Sequence, residues 1–213
     1  MSSYLADVAA LAQKDLLLEL RSRDTVPAML LFVVSALVVF RFTIAADASD
    51  LAAAGLLWIA VLFTALLALT RAFVAEREHR VLDGLVLAPC DRSAIWAAKG
   101  ISVAAFLVLA EAIALPAFAL FFASIDGSTV AAFALADVGI AAVGTLLAAM
   151  AAASRARELL LPLLFLPLAI PVVVGGVGAS VEPDPGRYLA FLGLYDALFA
   201  ILAWASFEYV VTE

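Results

Sequence analysis

The 213-residue chain is 67% hydrophobic and only 15% charged, with a net charge of −7 and a mean hydropathy of +1.15. A soluble domain carries roughly 45–50% apolar and 25% charged residues, so an ordinary soluble fold is excluded. The acidic balance gives no footing for a phosphate backbone, so no nucleic-acid partner is expected. A single cysteine, Cys90, allows no internal disulfide.

Residues 4–20 open the chain as a short helix. Tyr4, Leu5, Val8, Leu11, Leu16 and Leu20 form an apolar stripe, with Lys14, Asp15 and Glu19 set among them. Asp15 and Glu19 fall near that stripe. Two placements therefore stand, a helix lying on the inner membrane surface and a solvated one. The segment 1–26 has charges of both signs, and the apolar run behind it is long enough to span, so it does not read as a cleavable signal.

Six apolar stretches follow, at 27–45, 51–75, 99–123, 129–153, 158–180 and 188–210. A bilayer core of ~30 Å takes about 20 helical residues, and each stretch meets that length. Helices are required because alternating ten-residue segments are absent and lipid tolerates no unpaired backbone. Asp24 precedes Pro27 in the first turn of the first span, and Asp50 and Ser128 are placed to cap the second and fourth. Pro183-Asp184-Pro185-Gly186 is a turn. The fourth span is rich in Ala and Gly, which places it inside the bundle.

Basic residues set the orientation. With the N-terminus inside, the inner segments hold Lys14, Arg21, Arg23, Arg71, Arg77, Arg80, Arg92, Lys99, Arg155 and Arg157, whereas only Arg41 and Arg187 lie outside. The expected architecture is an all-α integral membrane protein of one domain, 1–213. It has six transmembrane helices, N-in and C-in, an amphipathic N-terminal helix and a short cytoplasmic coupling helix.

Enzyme chemistry finds few residues. There is no G-x-x-x-x-G-K-[ST] for a nucleotide and no G-x-S-x-G nucleophile. The single histidine, His79, has no metal-ligand spacing around it. Gly175-Gly176-Val177-Gly178 follows no strand and reads as close helix packing. Trp58, Trp96 and Trp204 are scattered and fit interfacial anchoring.

Acids at membrane depth are expensive and normally face a partner or a water path. Glu111 lies midway along the third span, five residues before Pro116, and is a candidate for a pathway or gate; a structural pair or hydrogen bond within the bundle, or simple protonation, is the other reading. Asp137 and Asp196 fall nearer the outer surface, where solvation is expected. Pro162, Pro167 and Pro171 in the fifth span each remove a backbone hydrogen bond. They predict a bent or broken helix, either hinged or held static by its neighbours.

The longest soluble segment is the loop 76–98. Within it, Val81, Leu82, Leu85, Val86 and Leu87 are too few to span and too apolar to leave exposed. They suit a short helix at the membrane face or one docked in a partner's groove. The pattern Phe73…Glu76-x-Glu78…Leu82-Asp83-x-Leu85-x-Leu87-x-Pro89, between two spans, resembles the coupling segment of ABC-2-type exporter permeases. More closely, the chain resembles the B subunit of the cytochrome c maturation haem exporter, the CcmB family. Supporting stretches are Lys14-Asp15-Leu16-x-Leu18-Glu19-Leu20-Arg21, Leu56-Leu57-Trp58-Ile59-Ala60, Lys99, Pro116 and the proline run from Leu161 to Pro171. Arg80 and Val81 stand where the wider exporter pattern has Gly then Ser or Thr, and Asp83 replaces the more usual Glu.

The resemblance implies a permease subunit without its own ATPase site. ATP would be used by a cytoplasmic ABC ATPase docked on Glu76, Glu78, Leu82, Asp83, Leu85, Leu87 and Pro89. It implies a haem-handling membrane protein and a periplasmic haem chaperone as partners, haem as cargo rather than as a covalently bound cofactor, and room for a second permease copy. Two alternatives stand beside it: an exporter of another cargo, and a non-transporting scaffold of the cytochrome maturation machinery.

Overall fold

A computed structural model describes residues 2–22, 25–44, 49–73, 91–154 and 157–212. Seven helices make up the described chain: α1 (Ser2–Ser22), α2 (Thr25–Thr43), α3 (Asp50–Arg71), α4 (Arg92–Phe121), α5 (Gly127–Ala153), α6 (Arg157–Val181) and α7 (Gly186–Thr212). Helices α2 to α7 are each long and apolar enough to cross a bilayer, as the hydropathy predicts. Their bounds differ at the ends. The largest difference is α4, which starts at Arg92, seven residues before the predicted start of its span at 99.

The caps explain the starts. Asp91 is the N-cap of α4, and its carboxylate accepts from the Ser93 N–H at 2.9 Å. For α3 the cap is Ser49, which accepts from Ala52, and Asp50 is the first helical residue. For α5 the cap position is Asp126, two residues before Ser128, and its side chain makes no cap hydrogen bond. Helix α6 is continuous through Pro162, Pro167 and Pro171, so it is not broken. One turn before Pro171, the Leu168 carbonyl accepts a hydrogen bond from Tyr195 Oη of α7 at 2.8 Å. The Tyr195 hydroxyl thus ties α7 to α6 beside the proline run; the carbonyl that Pro171 itself leaves without a helical donor is that of Pro167.

Helix α5 is the hub. It packs against α7, α6, α4 and, less extensively, α3, and two-thirds of its spanning window is buried. Lipid tails are as apolar as leucine, so close backbone approach decides which helix goes inside. Gly139 illustrates this: a Cβ there would lie 2.5 Å from Asp196 Oδ1 of α7. The outward faces keep large apolar residues for lipid, including Leu120, Leu163, Leu194 and Trp204.

Helix α1 is not a free surface helix. Val8 and Ala12 pack on Ala94 and Ala98 of α4, and Ser93 Oγ lies 3.2 Å from Tyr4 Oη. Its opposite face leaves Leu5, Leu17, Leu18 and Leu20 exposed, which suits contact with lipid.

Candidate functional site

Three levels of the bundle carry the polar and aromatic residues of interest. At the basic end, α1, α3 and α4 meet around Lys99. Its ammonium lies 3.1 Å from Asp15 Oδ2, both side chains being buried, while Lys14 holds the other oxygen at 2.9 Å. The same ammonium sits 5.2 Å from the centre of the Phe73 ring. Phe73 is buried and is the last described residue before the loop. A cavity of about 40 Å³ opens beside this node, lined by Asp15, Glu19, Arg71, Lys99 and Ser102 among others. Arg92 pairs with Glu208 at 3.0 Å and ties the start of α4 to the end of α7. The Ser93 backbone and hydroxyl hydrogen bonds hold the Asp91 carboxyl below its ordinary value of 3.8.

The second level lies midway through the bundle. Glu111, Asp137 and Asp196 each sit ten residues from one end of their helix: Phe121 of α4, Gly127 of α5 and Gly186 of α7. At 1.5 Å per residue that is about 15 Å, half of a ~30 Å core. All three are buried, at 6%, 4% and 6% exposure. The expected solvation of Asp137 and Asp196 is therefore corrected. The small residues of α5 let α4 and α7 close over them. Glu111 and Asp137 lie within hydrogen-bonding reach of each other across the α4–α5 contact. Glu111 Oε1 and both oxygens of Asp137 and of Asp196 have no hydrogen-bond partner among the described residues.

The third level, toward the opposite end, is an aromatic lock. Trp58 of α3 stacks on Phe133 of α5 with ring centres 4.1 Å apart and planes 3° apart. Such a pair contributes ~0.5–1.5 kcal/mol beyond its buried area. The Trp58 indole donates to Ser180 Oγ at 3.1 Å and lies where a side chain on Gly176 would be. At 2% exposure Trp58 is a core residue, not an interfacial anchor. Trp96 is half-buried and donates to the Ala142 carbonyl, and Trp204 alone faces outward.

The loop residues Glu76, Glu78, Leu82, Asp83, Leu85, Leu87 and Pro89 lie outside the described residues, as do His79 and Cys90. Pro116 and Pro167 are exposed on the bundle surface, and Pro162 and Pro171 are half-buried. Helix α6 packs on α3, α5 and α7, so its prolines do not gather around Glu111, which faces α5 from α4. Among the described residues no cluster of three or more His, Cys, Asp or Glu could hold a metal. Sequence reasoning missed Asp137 as the partner of Glu111. The equal ten-residue offsets appear only with the helix ends of the structure; the sequence spans place Glu111 twelve residues from 123 and Asp137 eight from 129.

The family model described as "CcmB protein" matches residues 6–207. "Heme exporter protein B" of Bradyrhizobium diazoefficiens is 30% identical over 178 residues, covering 81% of this chain and 80% of that protein. "Heme exporter protein B" of Paracoccus denitrificans is 32% identical over 163 residues, or 73% of each chain. A match running through all six spans leaves no part of the bundle to another family, and the chain is a multi-pass inner-membrane member of the CcmB family.

Proposed function

We propose that this chain is the membrane permease subunit of an ATP-driven complex that exports haem, or releases chaperone-bound haem, for cytochrome c maturation. The observation that carries the reading is the family match over 6–207, with relatives named for haem export at about 30% identity. In this reading the basic end is cytoplasmic. The segment ahead of α4 docks a cytoplasmic ABC ATPase through Glu76, Glu78, Leu82, Asp83, Leu85, Leu87 and Pro89. A haem-handling membrane protein and a periplasmic haem chaperone complete the assembly, and a second permease copy is a further candidate subunit.

The geometry supplies a transmission path. Motion at the loop reaches Phe73 at the end of α3 and, through Lys99, both α1 and α4. Helix α4 has 30 residues and is about 45 Å long at 1.5 Å rise. A shift at its basic end is thereby carried to Glu111 and the contact with α5. Glu111 is proposed to act at the gate, with Pro116 and the three prolines of α6 permitting the bends that gating needs.

The test is to purify the tagged chain from its native membrane in mild detergent and to identify its partners by mass spectrometry. A soluble ATPase together with a haem-handling membrane protein is the expected result. An ATPase without haem-handling partners points to another cargo. Absence of an ATPase would overturn the permease reading in favour of a scaffold.

A further inference from the structure

The Glu111–Asp137 contact brings two buried carboxyl groups together. Two carboxyl groups face each other, yet three of their four oxygens have no hydrogen-bond partner among the described residues. Ionised carboxylates only accept hydrogen bonds, so two of them in contact supply no donor. Neither acid takes part in the ion pairs that join Lys14 and Lys99 to Asp15, Arg92 to Glu208 and Arg187 to Glu182. Lys99 of the same helix is twelve residues from Glu111, about 18 Å along the axis. The third acid at this level, Asp196, packs against Gly139 on another part of α5 and brings no donor. A metal ion has too few ligands here.

Two adjacent negative charges at mid-bilayer would repel each other and would both lack solvation. One hydrogen removes both problems. We propose that Glu111 and Asp137 bind a single proton between them, forming one O–H···O⁻ hydrogen bond that joins α4 to α5 at the centre of the membrane. The protonated carboxyl donates and the ionised one accepts. The proton belongs to the pair and is not assigned to either residue. Such charge-assisted bonds are short and strong. The pair therefore acts as a clamp, and any motion that parts α4 from α5 must break it and leave the remaining charge to water. The inference stands on the contact itself and does not depend on cargo or motor.

Infrared spectroscopy of the purified protein in lipid nanodiscs tests it by subtraction. Carboxylic-acid and carboxylate bands are compared between wild type and the E111Q/D137N double variant. The expected difference is one carboxylic acid and one carboxylate lost per chain. Loss of two carboxylates, or of two acids, overturns the proposal.

Discussion

Replacing Lys99 by Met attacks the basic-end node at its centre. The Lys99–Asp15 pair is buried, with the charged atoms 3.1 Å apart. At an effective dielectric of about 20, such a pair attracts by about 5 kcal/mol. Breaking a buried pair by removing one partner typically costs ~3–5 kcal/mol, because a charge is left uncompensated. Here Lys14 remains on the other Asp15 oxygen, and its side chain is 35% exposed. The expected loss for Lys99→Met is therefore at the lower end, about 3 kcal/mol. Asp15→Leu on the same background removes the stranded charge, and the double variant should return to within about 1 kcal/mol of wild type. The assay is equilibrium unfolding of the purified protein in mixed detergent micelles with increasing denaturing detergent. A single-variant loss below about 1 kcal/mol, the range of exposed pairs, would refute the reasoning. So would a double variant no more stable than the single.

Four further predictions follow from other parts of the bundle. Gly176→Val places a side chain where the Trp58 indole lies; overpacking should cost ~1–3 kcal/mol, read as a lower Tm, with Gly176→Ala milder. Asp83→Lys and Leu85→Asp in the loop should each reduce ATPase co-purification at least tenfold while membrane insertion stays normal, and unchanged co-purification would remove the docking role. Glu111→Gln should insert and assemble but leave c-type cytochromes without covalent haem, scored by haem staining; full maturation would return Glu111 to a packing role. Asp91→Ala should cost about 1 kcal/mol as a lost N-cap. Since hydrogen bonds from Ser93 hold the folded Asp91 carboxyl below 3.8, its contribution is fully present above that value. It is lost only as pH falls through the depressed one, so the Ala variant should lose this part of its acid sensitivity in a pH-dependent melting series.

The spans were legible because lipid imposes a length and an apolar composition that few soluble helices share. The interior position of α5 was legible from its alanines and glycines. What failed to show was any feature set by a contact between distant segments. Lys99 looked like a charged residue opening a span, because its neutralising partner, Asp15, is 84 positions away and on another helix. Asp137 and Asp196 looked solvated because nothing local reports how tightly α4 and α7 close over α5. Trp58 looked like an interfacial ring because its stacking partner, Phe133, and its acceptor, Ser180, belong to other spans. The prolines predicted a bent or broken span, whereas α6 is one helix through all three. Glu111 was singled out as an acid needing an explanation, and the acid beside it, Asp137, stayed hidden because it belongs to another span.

Whether the chain serves cytochrome c maturation is decided in its native host. The gene is deleted in its native host, and membrane and periplasmic fractions are stained for covalently bound haem. The account predicts loss of every c-type cytochrome, restored by the wild-type chain and not by the Leu85→Asp variant. A deletion strain with its full complement of holocytochromes c would contradict it.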